Sequence, residues 1–95
     1  MTTITETPIT RGLRAAGFYL ANDSGHVWQK SRADGIYVLL RDDQDVANKW
    51  LVGVYYWSAE TDAYSFAERE IVGHVSNAVA WCDDALANPD RHIEF

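Results

Sequence analysis

A chain of 95 residues with 47% hydrophobic and 23% charged side chains has the make-up of an ordinary globular domain, with room for one core that buries roughly 65% of the unfolded surface. Its formal charge of −6 sets 14 acids against 8 Lys and Arg, no two of them adjacent, which argues against a protein built to grip phosphate or an anionic membrane. A single cysteine, Cys82, excludes an internal disulfide and any metal site made from several thiolates, and points to a reducing, cytoplasmic setting.

Residues 1–8 are polar and threonine-rich, the composition of a flexible tail, and residues 9–95 are expected to form a single domain. The tail has no charged start followed by an apolar run, and no stretch of the chain approaches the roughly 18 apolar residues of a membrane span, so neither secretion nor membrane insertion is expected. Ile9, Leu13 and Ala16 fall at i, i+4 and i+7, and Gly17 stands where a helix stops in the left-handed conformation. This spacing predicts a first helix of about two turns.

From Phe18 the punctuation is that of hairpins, with NDSG at Asn22 to Gly25 and ADG at Ala33 to Gly35. Strands are expected near Phe18–Ala21, His26–Ser31, Ile36–Arg41 and Lys49–Ser58, with a fifth near Tyr64–Ile71 after the polar turn AETDA. Next, Val72, Val75, Val79, Cys82 and Leu86 recur at spacings of 3, 4, 3 and 4, an amphipathic helical stripe that Asn88-Pro89 ends. The expected fold is α+β: an antiparallel meander of four or five strands, a C-terminal helix packed on one face, and a short N-terminal helix.

The stretch KWLVGVYYWS, Lys49 to Ser58, is apolar at both parities, so both of its sides seek to leave water. Ile36, Val38, Leu40, Val52 and Val54 are aliphatic and mostly β-branched, the set suited to lie beneath the helix. The other parity is expected to form an aromatic surface with cations mixed in: Trp28, Lys30, Tyr37, Leu39, Arg41, Leu51, Tyr55 and Trp57. Two short helices do not readily cover both faces of a sheet with strands this long.

Aromatic and cationic sheet faces also serve single-stranded nucleic acids, but Asp42, Asp43 and Asp45 open the loop beside this face and Glu60 and Asp62 lie in the next. Direct nucleic-acid binding is therefore not expected. The aspartate run lacks the further oxygen ligands of a calcium loop, and His26, His74 and His92 show no metal-ligand spacing. Each histidine reads as a turn, cap or tail residue. Cys82 falls on the buried stripe, where a thiol is a poor nucleophile. Glu68 and Glu70 sit at i, i+2 on a candidate edge strand, where charges block aggregation. The six glycines are dispersed punctuation rather than a phosphate loop, and no nucleophile motif is present. The composition thus fits a non-enzymatic protein with no metal or cofactor.

The expected function is an acidic protein-binding module, a small inhibitor or adaptor that docks on a basic or mixed surface of a larger protein. Its candidate contact residues are the aromatic-face members Trp28, Tyr37, Arg41, Tyr55 and Trp57, joined by the carboxylates Asp42, Asp43, Asp45, Glu60 and Asp62. In its most specific form those carboxylates imitate nucleic-acid phosphates and occlude a nucleic-acid-binding protein, as phage-encoded inhibitors of host defence do. The alternative is a homodimer packed through the aromatic face.

Overall fold

A computed structural model describes residues 8–21, 26–43 and 45–93. The N-terminal tail up to Thr7 and the NDSG turn lie outside the described residues. The elements run α1 (Pro8–Ala15), β1 (Tyr19–Leu20), β2 (Val27–Ser31), β3 (Tyr37–Asp42), β4 (Lys49–Ser58), β5 (Ala63–Val72) and α2 (Val75–Ala87), followed by a 3₁₀ turn at Pro89–Arg91. The strands form one open antiparallel sheet in the order β1-β2-β3-β4-β5, so the α+β meander with two helices is the observed architecture.

Local chemistry sets the boundaries. Gly17 (φ 93°) ends α1 in the left-handed region, and Gly35 (φ 88°) turns β2 into β3. Asn48 and Asp62 carry the remaining positive φ values outside glycine, the residue types that tolerate that conformation with least strain. Val72 is the last residue of β5 and is 73% exposed, so the helical stripe begins at Val75 rather than at Val72. Gly73 breaks the strand, and the His74 ring caps α2 by accepting the Ser76 amide at 3.1 Å. At the other end, Asn88 and Pro89 stop the helix, and His92 is tied down through its Nε2 to Asp84 at 2.8 Å.

α2 crosses β3 and β4. Its Ala78, Cys82, Ala85 and Leu86 meet Val38, Leu40, Val52 and Val54, all buried. Alanines on the contact stripe let the helix approach the sheet closely, while branched strand residues fill the layer between. α1 lies on the same side of the sheet: Leu13 joins this core, and Lys30 donates both to the Ala16 carbonyl after α1 (2.8 Å) and to Asp83 of α2 (3.0 Å). Trp50 is buried too, its indole N–H donating to the Gly73 carbonyl at 2.9 Å.

Trp28 and Lys30 do not belong to the aromatic surface. The β2–β3 register sets Trp28 opposite Leu40 and Lys30 opposite Val38, and directly opposed residues share a face. Trp28 is therefore a core residue at 5% exposure. The cause is the length of the connection. Residues 32–36 separate the strands, and an odd loop keeps even residues opposite even ones, whereas a tight two-residue hairpin would have exchanged the faces.

Candidate functional site: the open face of the sheet

Both helices lie on one side, and among the described residues no element covers the other. Along β4 that open side carries Leu51, Gly53, Tyr55 and Trp57. The register adds Tyr37, Leu39 and Arg41 from β3, and Tyr64, Phe66, Glu68 and Glu70 from β5. Trp57, Tyr64 and Phe66 keep 43%, 56% and 55% of their surface in solvent. Single exposed apolar side chains are ordinary, but a contiguous aromatic patch makes this face the candidate contact surface.

The rings are ordered among themselves. Tyr37 and Tyr55 stack with centroids 5.2 Å apart, and Tyr55 and Phe66 at 6.1 Å, so one three-ring row crosses β3, β4 and β5. Trp57 and Tyr64 form a tilted pair at 4.7 Å toward the end of β4. Cross-strand pairs of this kind hold the orientation of the rings.

Gly53 is the centre of the arrangement. It lies in mid-strand, and the Tyr55 ring folds back over it: a Cβ there would stand 2.6 Å from Cζ and 2.8 Å from Cε2 of that ring. The phenol of Tyr55 then donates to the Glu68 carboxylate at 3.2 Å. Partial burial, with the Glu68 charge second, pushes the Tyr55 hydroxyl up to about 12, and burial likewise raises that of Tyr37. Both remain neutral hydrogen-bonding groups at physiological pH. Beside Tyr55 lies a shallow concavity of about 530 Å³ over Leu39, Leu51 and Gly53, bordered by Arg41, Glu68 and Glu70.

The face grades from aromatic to charged along the strands. Arg41 and Glu70 stand on either side of Leu51 in one cross-strand row. Lys49 reaches Asp43 and Glu70, each at 3.5 Å. Of the carboxylates singled out from the sequence, Asp43 shapes its own loop by accepting the amides of Asp45 (2.9 Å) and Val46 (3.3 Å). The first of these bonds is the main reason its carboxyl sits below the usual range. Asp42 pairs with Trp50 at the helix-side parity, and Asp45 is exposed beyond it. Glu60 and Asp62 are exposed in the turn at the opposite end of β4, whose ten residues span roughly 30 Å.

The structure thus brings Tyr37, Arg41, Tyr55 and Trp57 onto one face, sends Trp28 into the core, and sets Asp42, Asp43 and Asp45 beside Arg41 and Leu51 at one end of that face with Glu60 and Asp62 in the turn at the other. Gly53, Tyr64, Phe66 and Glu68 were missed as members. The signal for Tyr64, Phe66 and Glu68 lay in the turn after Ser58: residues 59–62 make an even connection, so odd positions of β4 face even positions of β5 and Tyr55 meets Phe66. Cys82 is fully buried on the helix side, and burial pushes its thiol up to about 12. Among the described residues no three His, Cys, Asp or Glu side chains converge as a metal set, and no helix is long and apolar enough to cross a membrane.

No family model matches the chain, and neither a curated protein nor a solved structure matches it.

Proposed function

We propose that the protein is a non-catalytic protein-binding domain whose open sheet face is the contact surface, acting as a small inhibitor or adaptor on a larger protein. The observation that carries this reading is the ordered aromatic row Tyr37–Tyr55–Phe66, with Trp57 and Tyr64 beside it, on a face that no described element covers. Rigid aromatics next to an arginine are the side chains that dominate binding energy at protein interfaces. The overall charge of −6 favours a partner with a basic or mixed rim. Phosphate imitation draws less support, because the two carboxylate groups stand at opposite ends of β4 rather than in a row.

A second reading, self-association through the same face, is favoured by one detail. A two-fold axis parallel to β4 would lay Arg41 of one copy over Glu70 of the other, on either side of Leu51. Affinity capture from a lysate of the source organism, run in parallel with wild type and a Trp57→Ala, Phe66→Ala variant, tests the main reading. A specific partner held by the wild type and lost by the folded variant supports it. A partner held equally by both removes the face from consideration.

A further inference from the structure

The two edges of the sheet differ. β1 ends it with two residues, whereas β5 ends it with ten, and among the described residues β5 pairs only with β4. α2 runs over β3 and β4, so most residues of β5 are exposed and its outer backbone edge has no strand partner among the described residues. Long edges are usually blunted by charge, proline, a bulge or brevity. β5 has no proline or glycine, and its charges are confined to Glu68, Arg69 and Glu70; the half from Ala63 to Ala67, AYSFA, is uncharged.

We infer that the outer edge of β5 pairs antiparallel with β5 of a second copy, about a two-fold axis through Ala67 and perpendicular to the sheet. This symmetry keeps opposed residues on the same face, and the distribution of charge selects the register. Centred on Ala67, Tyr64 faces Glu70 of the second copy, Ser65 faces Arg69, and Phe66 faces Glu68, while Ala63 reaches Ile71. Every charged side chain then stands opposite an uncharged one, along the full uncharged half of the strand. A two-fold at Glu68 would set Glu68 against itself, and one at Arg69 would set Glu68 against Glu70, so slips in that direction oppose like charges. A small side chain at the axis removes steric conflict where the copies come nearest. The product is one sheet of twice the width, with the two open faces on the same side and their aromatic patches joined through Phe66 and Tyr64.

The Ser65–Arg69 pairing lies on the helix-side parity, so it can be altered without touching the aromatic face, and its failure would leave the proposed docking surface standing. Sedimentation equilibrium of the full chain is expected to give twice the 10.7 kDa chain mass at high concentration. Ser65→Arg, which opposes two arginines at each symmetry-related position, should reduce the mass to that of the monomer. Adding Arg69→Glu should restore the dimer. Tryptophan near-ultraviolet dichroism reports whether each variant is folded. If Ser65→Arg alone fails to fold, the mass of the doubly substituted chain decides. A wild type monomeric at millimolar concentration, a dimer indifferent to Ser65→Arg, or a folded double variant that stays monomeric overturns the inference.

Discussion

The two sides of β4 are built from different chemistries. Toward α2 it presents Val52 and Val54, at 3% and 0% exposure; away from α2 it presents Gly53, Tyr55 and Trp57, the last at 43%. Branched aliphatic residues are stiff, compact and have no polar atom to satisfy, which suits a layer closed beneath a helix. Aromatics present large rigid area and can keep a polar tip in water, which suits a face left open to solvent. A strand apolar on both sides therefore need not be covered on both.

Several substitutions would break or sharpen this contrast. The largest effect is expected from Cys82→Asp, which sets an unpaired carboxylate against Val54 and its neighbours; a loss of about 3 kcal/mol or more in urea unfolding is expected. In the wild type the Cys82 thiol should label slowly when native and fast when denatured. Val52→Ala and Val54→Ala should each cost about 2 kcal/mol, the sum of lost methyl burial and the cavity left behind, also read from urea midpoints. If either valine proves replaceable without loss, the helix side is not the core.

Gly53→Ala sharpens the open side. The new methyl cannot coexist with the ring above it, so Tyr55 must swing out and release Glu68. Stability should fall by less than about 1 kcal/mol, since the ring moves on a solvated face. The diagnostic change is in the ultraviolet titration of Tyr55, whose hydroxyl should drop from about 12 toward its ordinary 10.0.

The smallest effect concerns the tie at the end of α2. The His92 ring, as the leading cause, holds the Asp84 carboxyl below its ordinary 3.8. A carboxyl lowered in the folded state stabilises above its unfolded value, and that contribution disappears as pH falls through the folded value. Asp84→Asn should therefore be slightly less stable than wild type at neutral pH, with the gap closing in acid below 3.8. A gap that widens in acid would mean the pairing is absent.

Much of this fold is written in one dimension. β4 spans Lys49 to Ser58 as its unbroken apolar run indicates, and the aliphatic set Val38, Leu40, Val52 and Val54 lies beneath α2 as its parity indicates. Faces were legible within a strand but not always across a turn, because the parity of the connection decides which residues meet. The five-residue link 32–36 sends Trp28 into the core, and the four-residue link 59–62 brings Phe66 beside Tyr55. Loop parity depends on where hydrogen bonding stops, which composition does not state. Gly53 was unreadable for a related reason: mid-strand glycine looks like punctuation until the ring that occupies its space is seen. The acidic loops were grouped by charge, yet a ten-residue strand separates them.

The central claim is that the aromatic side of the sheet is a surface and not a second core. Urea unfolding of the Trp57→Ala, Phe66→Ala variant beside Val52→Ala, Val54→Ala tests it most directly. The account predicts that truncating the two exposed rings, which removes two cross-strand ring pairs, costs no more than about 2 kcal/mol while the valine pair loses about 4. An aromatic variant that loses as much as the valine variant would show that the face is covered in solution, and would contradict the account.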